Sequence, residues 1–257
     1  MRTAFPVSAA SGNLHFTVFW GKTMPTTKAV KLQDLIDAGI DGQLRIVRRT
    51  LAAHGRTIRT VDELIEAFIS FGTETIERAT ARSKPACKAG CYYCCHIPVS
   101  LSALEAIALA RYLKKTLAPE DLSTMRAKIK EHLAWSERLT WDEHVSGKRI
   151  CALLSAEGRC SVHAMRPMSC RWTNSFSAKQ CEDAINKTSD GNIEADLQAL
   201  MWGRAVALGL SAGLKEAGLD DKSYELHSAL LRALETPDVE TRWIREEPVF
   251  VGCKVTP

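Results

Sequence analysis

The sequence predicts a mainly α-helical protein in which helices frame two cysteine-rich loops, with one small β-hairpin as the candidate for strand structure. Three observations carry this prediction. Apolar residues recur at steps of three and four over most of the chain. Helix-capping residues stand where several of these periodic stretches begin. Eight of the nine cysteines fall in the two stretches where the periodicity breaks.

The periodic pattern begins only after the first 28 residues. Residues 1–28 are therefore expected to be either a disordered tail or sequence upstream of a true start at Met24. Residues 29–257 are predicted to form a single helical domain with a cysteine-cluster core at 85–185. The second irregular stretch covers 140–192, and the hairpin is expected around 149–163.

Each predicted helix has a start or stop signal. Gly55 ends the first helix, and Ser102 with Glu105 forms a capping box for the third. Pro119 suits the first turn of the fourth helix, while Gly218 and Pro237 follow the last two. The predicted helices span about 32–54, 61–81, 103–115, 119–139, 194–216 and 222–234.

Composition excludes several classes of protein. Charged residues make up 25% and apolar residues 46%, as in ordinary globular proteins. The net charge of +4 is mild and no basic stripe carries interleaved aromatics, so nucleic acid is not expected as a partner. The apolar stretch 101–113 is too short to span a membrane. Because the N-terminus lacks an apolar signal core, a cytoplasmic location is expected.

The cysteines form two groups with spacing suited to metal binding. Two or three residues separate the cysteines of the first group, which lets thiolates converge on one ion or one cluster. Disulfides are the alternative in an exported chain, and scattered buried thiols are another. The clustering favours metal. The candidate ligands are Cys87, Cys91, Cys94, Cys95, Cys151, Cys160, Cys170 and Cys181.

Basic residues and glycine flank these cysteines. Arg166 and Arg171 are expected to contact the bound cofactor, because cations offset the negative charge of a thiolate site. Pro167 at the start of a helix would put Cys170 in the first turn, where a thiolate is stabilised. Gly90 is expected to allow a close approach of backbone to the site.

Histidines offer a second kind of ligand. His96 and His163 stand beside cysteines, although a position in a turn or behind the ligands is favoured for both. The other five histidines have no partner at ligand spacing and are expected to be ordinary. The isolated Cys253 is not expected to bind metal. No phosphate loop, dinucleotide fingerprint or catalytic helix motif occurs, so enzyme status stays open.

The order of the cysteines resembles the YkgJ-like cysteine-cluster family. The resemblance covers about 87–181 and includes C-x3-C-x2-C-C and G-x-C-x-V-x4-R-P-x2-C-R. It implies zinc or iron chelation, and for some members an Fe–S oxidoreductase. His163 stands where the family commonly has an aromatic residue, and Ala152 where proline is frequent. A more distant resemblance is to flagellin lysine methylases.

Three functions follow, in order of preference. The first is a protein that chelates zinc or iron through clustered thiolates, and the second is an Fe–S oxidoreductase or electron carrier. The third is an enzyme similar to lysine methylases. We expect both loops to share one site, because neither has a complete zinc or ferredoxin spacing alone. The first-choice ligands of that shared site are Cys91, Cys94, Cys160 and Cys170, and a protein partner is not predicted.

Overall fold

The computed structural model describes residues 32–81, 83–187 and 192–256. The predicted tail at 1–28 and the alternative start at Met24 lie outside them. Within the described residues the chain forms ten α-helices and one antiparallel pair of short strands, so the mainly helical prediction is confirmed. The helices are α1 Leu32–His54, α2 Ile58–Thr80, α3 Ala103–Thr116, α4 Pro119–Ser136, α5 Trp141–Gly147, α6 Met168–Trp172, α7 Ala178–Asn186, α8 Leu197–Glu216, α9 Leu226–Glu235 and α10 Val239–Ile244.

Helices α1, α2 and α8 form a closely packed frame. Glycines on α8 bring it against α1: a Cβ at Gly209 would lie 2.4 Å from the carbonyl oxygen of Ile40. A Cβ at Gly213 would lie 2.7 Å from the Cβ of Val47. Since Val47 is fully buried, this contact belongs to the core. The frame is therefore held by apolar burial at close helix spacing.

The third helix connects the core to the cysteine region. The predicted capping box is present: the Ser102 hydroxyl accepts from the Glu105 N–H, and the Glu105 carboxylate accepts from the Ser102 N–H at 2.8 Å. The other oxygen of Glu105 accepts from the Met168 N–H at 2.7 Å. Burial raises the pKa of Glu105, and these hydrogen bonds oppose the rise. Glu105 thus ties the start of α3 to the start of α6.

A two-stranded antiparallel sheet brings the C-terminal part of the chain to the cysteines. Strand β1 (Ser100–Ser102) pairs with β2 (Ser223–Glu225), with Ser100 opposite Glu225. Both strands lead directly into helices, α3 and α9. The hairpin expected around 149–163 is reduced to one bridge, between Leu154 and Cys160. Its turn uses Gly158 at φ +73°, a conformation that favours glycine.

The stretch predicted as irregular at 140–192 contains three short helices, α5, α6 and α7. Two have side-chain caps: Thr140 and Glu143 form a capping box for α5, and Ser177 caps α7. The helix predicted from 222 begins instead at 226, because 223–225 pair with β1. No helix within the described ranges is long and apolar enough to cross a membrane. The cytoplasmic location stays a prediction.

Candidate metal centre

The two cysteine segments are joined by backbone hydrogen bonds. The Cys151 N–H donates to the carbonyl oxygen of Cys95 at 2.8 Å. At the other end, the Ala86 N–H donates to the Ser175 carbonyl oxygen at 2.8 Å. Between them Gly90 turns the chain at φ +85°, and a Cβ there would meet no atom within 4 Å. Glycine at this position is thus favoured by its backbone conformation and not by the close approach expected from the sequence.

The second segment is anchored by apolar side chains on both sides of its cysteines. Leu153 and Val162 are buried, and they flank the bridge that presents Cys160. The Ser161 N–H and hydroxyl both bond to the Leu153 carbonyl oxygen, at 2.9 and 2.7 Å. Met168 is buried beside Cys170 in the chain. The thiols are therefore carried on backbone that the core holds in place.

Cys170 lies in the first turn of α6, as the position of Pro167 predicts. Helix α6 begins at Met168 with Pro167 as the residue before it. Burial raises the pKa of the Cys170 thiol well above its ordinary value, and thiolates at Cys151, Cys94 and Cys160 raise it further. A thiol of this kind ionises when a cation replaces its proton, as metal coordination does.

Five cysteines interact as an inner group. Within it the Cys95 thiol hydrogen-bonds to Cys94, which lowers the pKa of Cys94 to about 7 and raises that of Cys95. Burial raises the pKa of Cys160, and the neighbouring charges of Cys151 and Cys94 add to the rise. The interacting thiols belong to both cysteine loops. The inner group is Cys94, Cys95, Cys151, Cys160 and Cys170.

Three further cysteines form an outer group, defined as Cys87, Cys91 and Cys181. Burial raises the pKa of Cys181, which lies on α7, and the charges of Cys87, Cys91 and Cys94 raise it further. Burial likewise raises the pKa of Cys87, with Cys91 and Cys94 adding to it. Cys94 therefore interacts with both groups. All nine cysteines of the chain, including these eight, are free thiols.

Arg166 and Arg171 have different surroundings. The Arg166 charge opposes the burial that raises the pKa of Cys170, Cys160 and Cys87. Its buried Nε has no hydrogen-bond partner. Arg171 is instead bonded to the protein: it donates to the carbonyl oxygen of Arg166 at 2.9 Å and to the Thr73 hydroxyl at 3.0 Å. Arg166 faces the thiols, whereas Arg171 braces the loop that carries them.

The remaining candidates from the sequence lie at the edge of the site. The buried ring of His96 has its Nδ1 3.1 Å from the carbonyl oxygen of Tyr93, inside a 3-10 turn at Tyr93–His96. His163 is exposed, and partial burial and then Arg166 lower its pKa. Cys253 bonds to the Ser228 carbonyl oxygen at 3.7 Å, and no cysteine of the two groups is among its neighbours. It is a buried thiol of the core.

Sequence reasoning missed a histidine and a glutamate that lie against the inner group. The Nε2 of His227 is 3.4 Å from the Cys151 sulfur, and its Nδ1 is 2.7 Å from Glu225. Burial lowers the pKa of His227, but Cys151 and Glu225 raise it, to about 10 overall. Cys151 and Glu225 therefore stabilise a positive charge placed between the His227 ring and the Cys151 sulfur. Because His227 lies 76 residues from Cys151 in the chain, no local spacing signals the contact.

Two more histidines surround this ring. The His132 ring stacks on His227 with centroids 3.8 Å apart, and His144 lies 5.3 Å from His132. Burial lowers the pKa of His132 to about 3 and that of His144 to about 4, so both are neutral in the fold. Both nitrogens of His132 are buried without a hydrogen-bond partner.

One trio of potential ligands has its atoms within 4.8 Å of one another in the described ranges, and it contains no cysteine. Its members are His132, Glu225 and His227. The stacked rings of His132 and His227 differ by 24° in plane. Because the lone pairs of ring nitrogens lie in the ring planes, those of His132 and His227 run nearly parallel and do not converge on one ion. The trio is a packed, hydrogen-bonded group in this geometry.

The donor set fits a soft metal. Thiolates select zinc and iron–sulfur centres over magnesium or calcium, which prefer oxygen ligands. Four thiolates give a zinc site a net negative charge, and the charge of Arg166, whose buried Nε is unpaired, lowers the pKa of Cys160 and Cys170. Burial and mutual repulsion favour the protonated thiols, and a bound cation offsets both effects, so the thiols ionise when they bind it. The residues therefore suit zinc or iron in chemistry and in charge.

Comparison with known proteins agrees with this donor set. Residues 86–191 match the family model CxxCxxCC, described as "Putative zinc- or iron-chelating domain". We call this matched segment the cysteine-cluster domain. The cysteine-cluster domain contains all eight thiols of the inner and outer groups, whereas Glu225 and His227 lie beyond it. No curated protein matches the chain, and no solved structure does.

Proposed function

We propose that the protein binds zinc or iron in a thiolate centre shared by both cysteine loops. The observation that supports this is the backbone hydrogen bond of 2.8 Å from the Cys151 N–H to the Cys95 carbonyl oxygen, which joins the two loops; the charge of Cys94 also raises the pKa of Cys160, Cys170 and Cys181. A centre of this kind ties two otherwise irregular segments together. Metal binding then contributes free energy to the fold.

The inner group is the main centre in this proposal. Cys94 and Cys95 come from the first loop, and Cys151, Cys160 and Cys170 come from the second. The sequence grouped Cys91 with these ligands, but its thiol interacts with Cys87 and Cys181. We therefore amend the set, with Cys91 in the outer group. The outer thiols serve as a second centre or as exchangeable thiols.

The test is the metal content of the full chain and its serine variants, purified without oxygen. Cys94→Ser and Cys170→Ser should each lose most of the bound metal, because each removes a thiolate from the shared centre. Cys253→Ser is the matched control and should keep the metal, since Cys253 bonds only within the core. Full metal retention in both inner variants would contradict the shared centre.

A second candidate is an iron–sulfur protein, and the spacing of the sulfurs favours it. Four thiolates on one zinc ion at about 2.3 Å stand about 3.8 Å from one another. The single trio of ligand atoms within 4.8 Å in the described ranges contains no cysteine. An iron–sulfur cluster binds each thiolate to a different iron, so it suits a wider arrangement. An electron-transfer or oxidoreductase role would follow from such a cluster.

Colour and elemental content separate the two candidates. The anaerobically purified protein should be brown and contain iron and inorganic sulfide in equal amounts if it holds a cluster. A colourless protein with stoichiometric zinc and no sulfide would exclude the cluster and keep the chelation proposal. A protein that binds neither metal would contradict both.

A further inference from the structure

We propose that His227 is a nitrogen ligand of the metal centre, binding through Nε2 the same metal ion as the Cys151 thiolate. The inference rests on the proposed function, which it extends to a residue outside the cysteine-cluster domain. Glu225 holds the other side of the ring as a positioning residue. The site is then a mixed sulfur and nitrogen centre instead of a purely thiolate one.

The separation of the two donor atoms fits one shared ion. The His227 Nε2 and the Cys151 sulfur lie 3.4 Å apart. A tetrahedral metal with bonds of about 2.3 Å to sulfur and 2.0–2.1 Å to nitrogen places such a pair about 3.6 Å apart. Little movement of either side chain is thus needed to bind one ion.

The hydrogen bonds select the nitrogen that faces the metal. The Nδ1 of His227 is 2.7 Å from Glu225, so Nδ1–H donates to the carboxylate and Nε2 carries the lone pair. The Ala152 N–H donates to this lone pair at 3.2 Å, so a metal ion that binds Nε2 takes the place of this hydrogen bond. Histidine ligands of metals commonly donate their second N–H to a carboxylate, which fixes the ring and raises its basicity. His227 already has this arrangement.

Glu225 is itself held in place. Its second oxygen accepts from the Ser228 N–H at 2.9 Å as the N-cap of α9, and its backbone pairs with β1. The side chains of Glu225 and His227 are only 3% and 4% exposed. The stacked ring of His132 covers one face of His227. The imidazole therefore has few other orientations, and little entropy is lost when it binds an ion.

A metal ion can reach this position from solvent. A cavity of about 190 Å³ lies beside the pair and is lined by both Cys151 and His132. Lys128, Glu131 and Arg149 line the same cavity, and the Glu131 carboxylate pairs with the Arg149 guanidinium, so its wall carries charges of both signs. The alternative occupant of the Nε2 position is a proton, which gives a thiolate–imidazolium ion pair with no metal bond.

The experiment distinguishes a metal–nitrogen bond from that ion pair. The full chain is grown with 15N-histidine, stripped of metal under reducing conditions and refilled with cobalt(II) alone. Pulsed electron paramagnetic resonance then measures coupling between cobalt and 15N. We expect a directly bonded 15N in the unsubstituted protein and its loss in His227→Gln. The sulfur-to-cobalt charge-transfer absorption should remain in both.

Matched variants assign the nitrogen to one ring. His132→Phe preserves the stacking surface and should keep the 15N coupling, because His132 does not point at the ion. Glu225→Gln should keep the coupling but bind cobalt about 10- to 100-fold more weakly, as expected when the partner of a ligand histidine is changed. Survival of the coupling in a folded His227→Gln protein would overturn the assignment, whichever other histidine supplies the nitrogen.

The outcomes separate this inference from the proposed function. Stoichiometric cobalt with sulfur charge transfer but no 15N coupling in the unsubstituted protein leaves chelation standing and refutes the His227 ligand. No stoichiometric cobalt at all refutes both the chelation of a single ion and the His227 ligand, and the iron and sulfide analysis then decides whether an iron–sulfur centre remains. Absence of 15N coupling in the cobalt-loaded unsubstituted protein refutes the inference whether or not His227→Gln folds.

Discussion

The helical frame and the cysteine region are stabilised in opposite ways. In the frame, α1 and α2 each have 23 residues and α8 has 20, and their contacts are apolar and close. In the cysteine region, α6 has five residues and α7 nine, and the thiols raise one another's pKa. Isolated helices this short are marginal. The comparison leads us to expect that the frame carries its own stability, while the order of the cysteine region depends partly on metal bound to its thiols.

The two regions are connected at a few positions. Leu153, Val162 and Met168 extend from the cysteine region into the common core. Glu105 adds hydrogen bonds from the frame to the start of α6. We therefore expect loss of metal to loosen the cysteine loops without dissolving the core beneath them.

Of the changes considered, metal removal should most increase the difference in stability between the helical frame and the cysteine region. Stripping the reduced protein should raise backbone hydrogen exchange strongly over 86–98 and 150–187, because the metal–thiolate bonds that hold the two loops together are then lost. Protection in α1, α2 and α8 should change little. Exchange followed by mass spectrometry measures both regions in one sample, and refilling with metal is the control. Equal loss of protection in both regions would show that they do not differ as proposed.

A substitution in the helical frame should lower the stability of the fold and leave metal binding unchanged. Gly209→Ala puts a methyl group 2.4 Å from the backbone oxygen of Ile40, which cannot move without shifting α1. We expect the free energy of unfolding to fall by about 1–3 kcal/mol, as for an overpacked core. The metal content should stay unchanged. Leu208→Ala, at a side chain 55% exposed, is the neighbouring control and should alter neither quantity.

Within the cysteine region, substitutions at Arg166 and Arg171 should affect different quantities, metal affinity and stability. Arg166→Gln removes a charge facing the thiols and should weaken metal binding about tenfold, measured by competition with a coloured chelator. Arg171→Gln should mainly lower stability, since Arg171 braces the loop through Arg166 and Thr73. The sequence predicted weaker metal retention for both. Arg159→Gln, at an exposed arginine, is the control; equal losses in all three variants would contradict the distinction.

The buried histidines predict a pH dependence. Burial lowers the pKa of His144 to about 4, against about 6.5 in the unfolded chain. Between these values the unfolded chain binds the extra proton, so the free energy of unfolding falls as pH falls, by up to about 1.4 kcal/mol per pH unit. His144→Phe keeps an aromatic ring and should flatten the profile between pH 6.5 and 4.5 in urea titrations. An unchanged slope would mean that His144 is not buried as a neutral ring.

The smallest effect is expected at the lysines beside the first motif. Lys84 and Lys88 are both exposed, so solvent screens their charges. Lys88→Ala should change metal affinity less than twofold, measured by the same chelator competition. A loss as large as that of Arg166→Gln would show that exposed cations of the first loop also stabilise the centre.

Much of this molecule could be predicted from local sequence. The capping box of Ser102 and Glu105 and the apolar periodicity locate the long helices, because both signals act within a few residues. The same kind of signal at Thr140 and Glu143 marks α5 and was available in the sequence. Strands β1 and β2 have three residues each, too few to show an alternating pattern.

The site was predictable only as a set of thiols. The spacing within each loop identifies eight candidate ligands, but which thiols interact is decided by the fold, as with Cys91 and the outer group. Arg166 and Arg171 both flank Cys170, and only the structure distinguishes their surroundings. His227 meets Cys151 through the pairing of β1 with β2, so its contact depends on a tertiary register that no motif encodes.

That strand pairing has a consequence for how such domains can be exchanged between proteins. The cysteine-cluster domain covers 86–191, but β1 within it is completed by β2 at Ser223–Glu225, outside it. Its α3 is covered by α9, whose Leu226 and Leu230 are buried. A graft of 86–191 onto another scaffold would carry all eight thiols of the inner and outer groups, yet leave β1 without its partner strand and the apolar face of α3 uncovered. A segment that keeps this fold after transfer to another protein must therefore be longer than the cysteine motif and extend at least to α9.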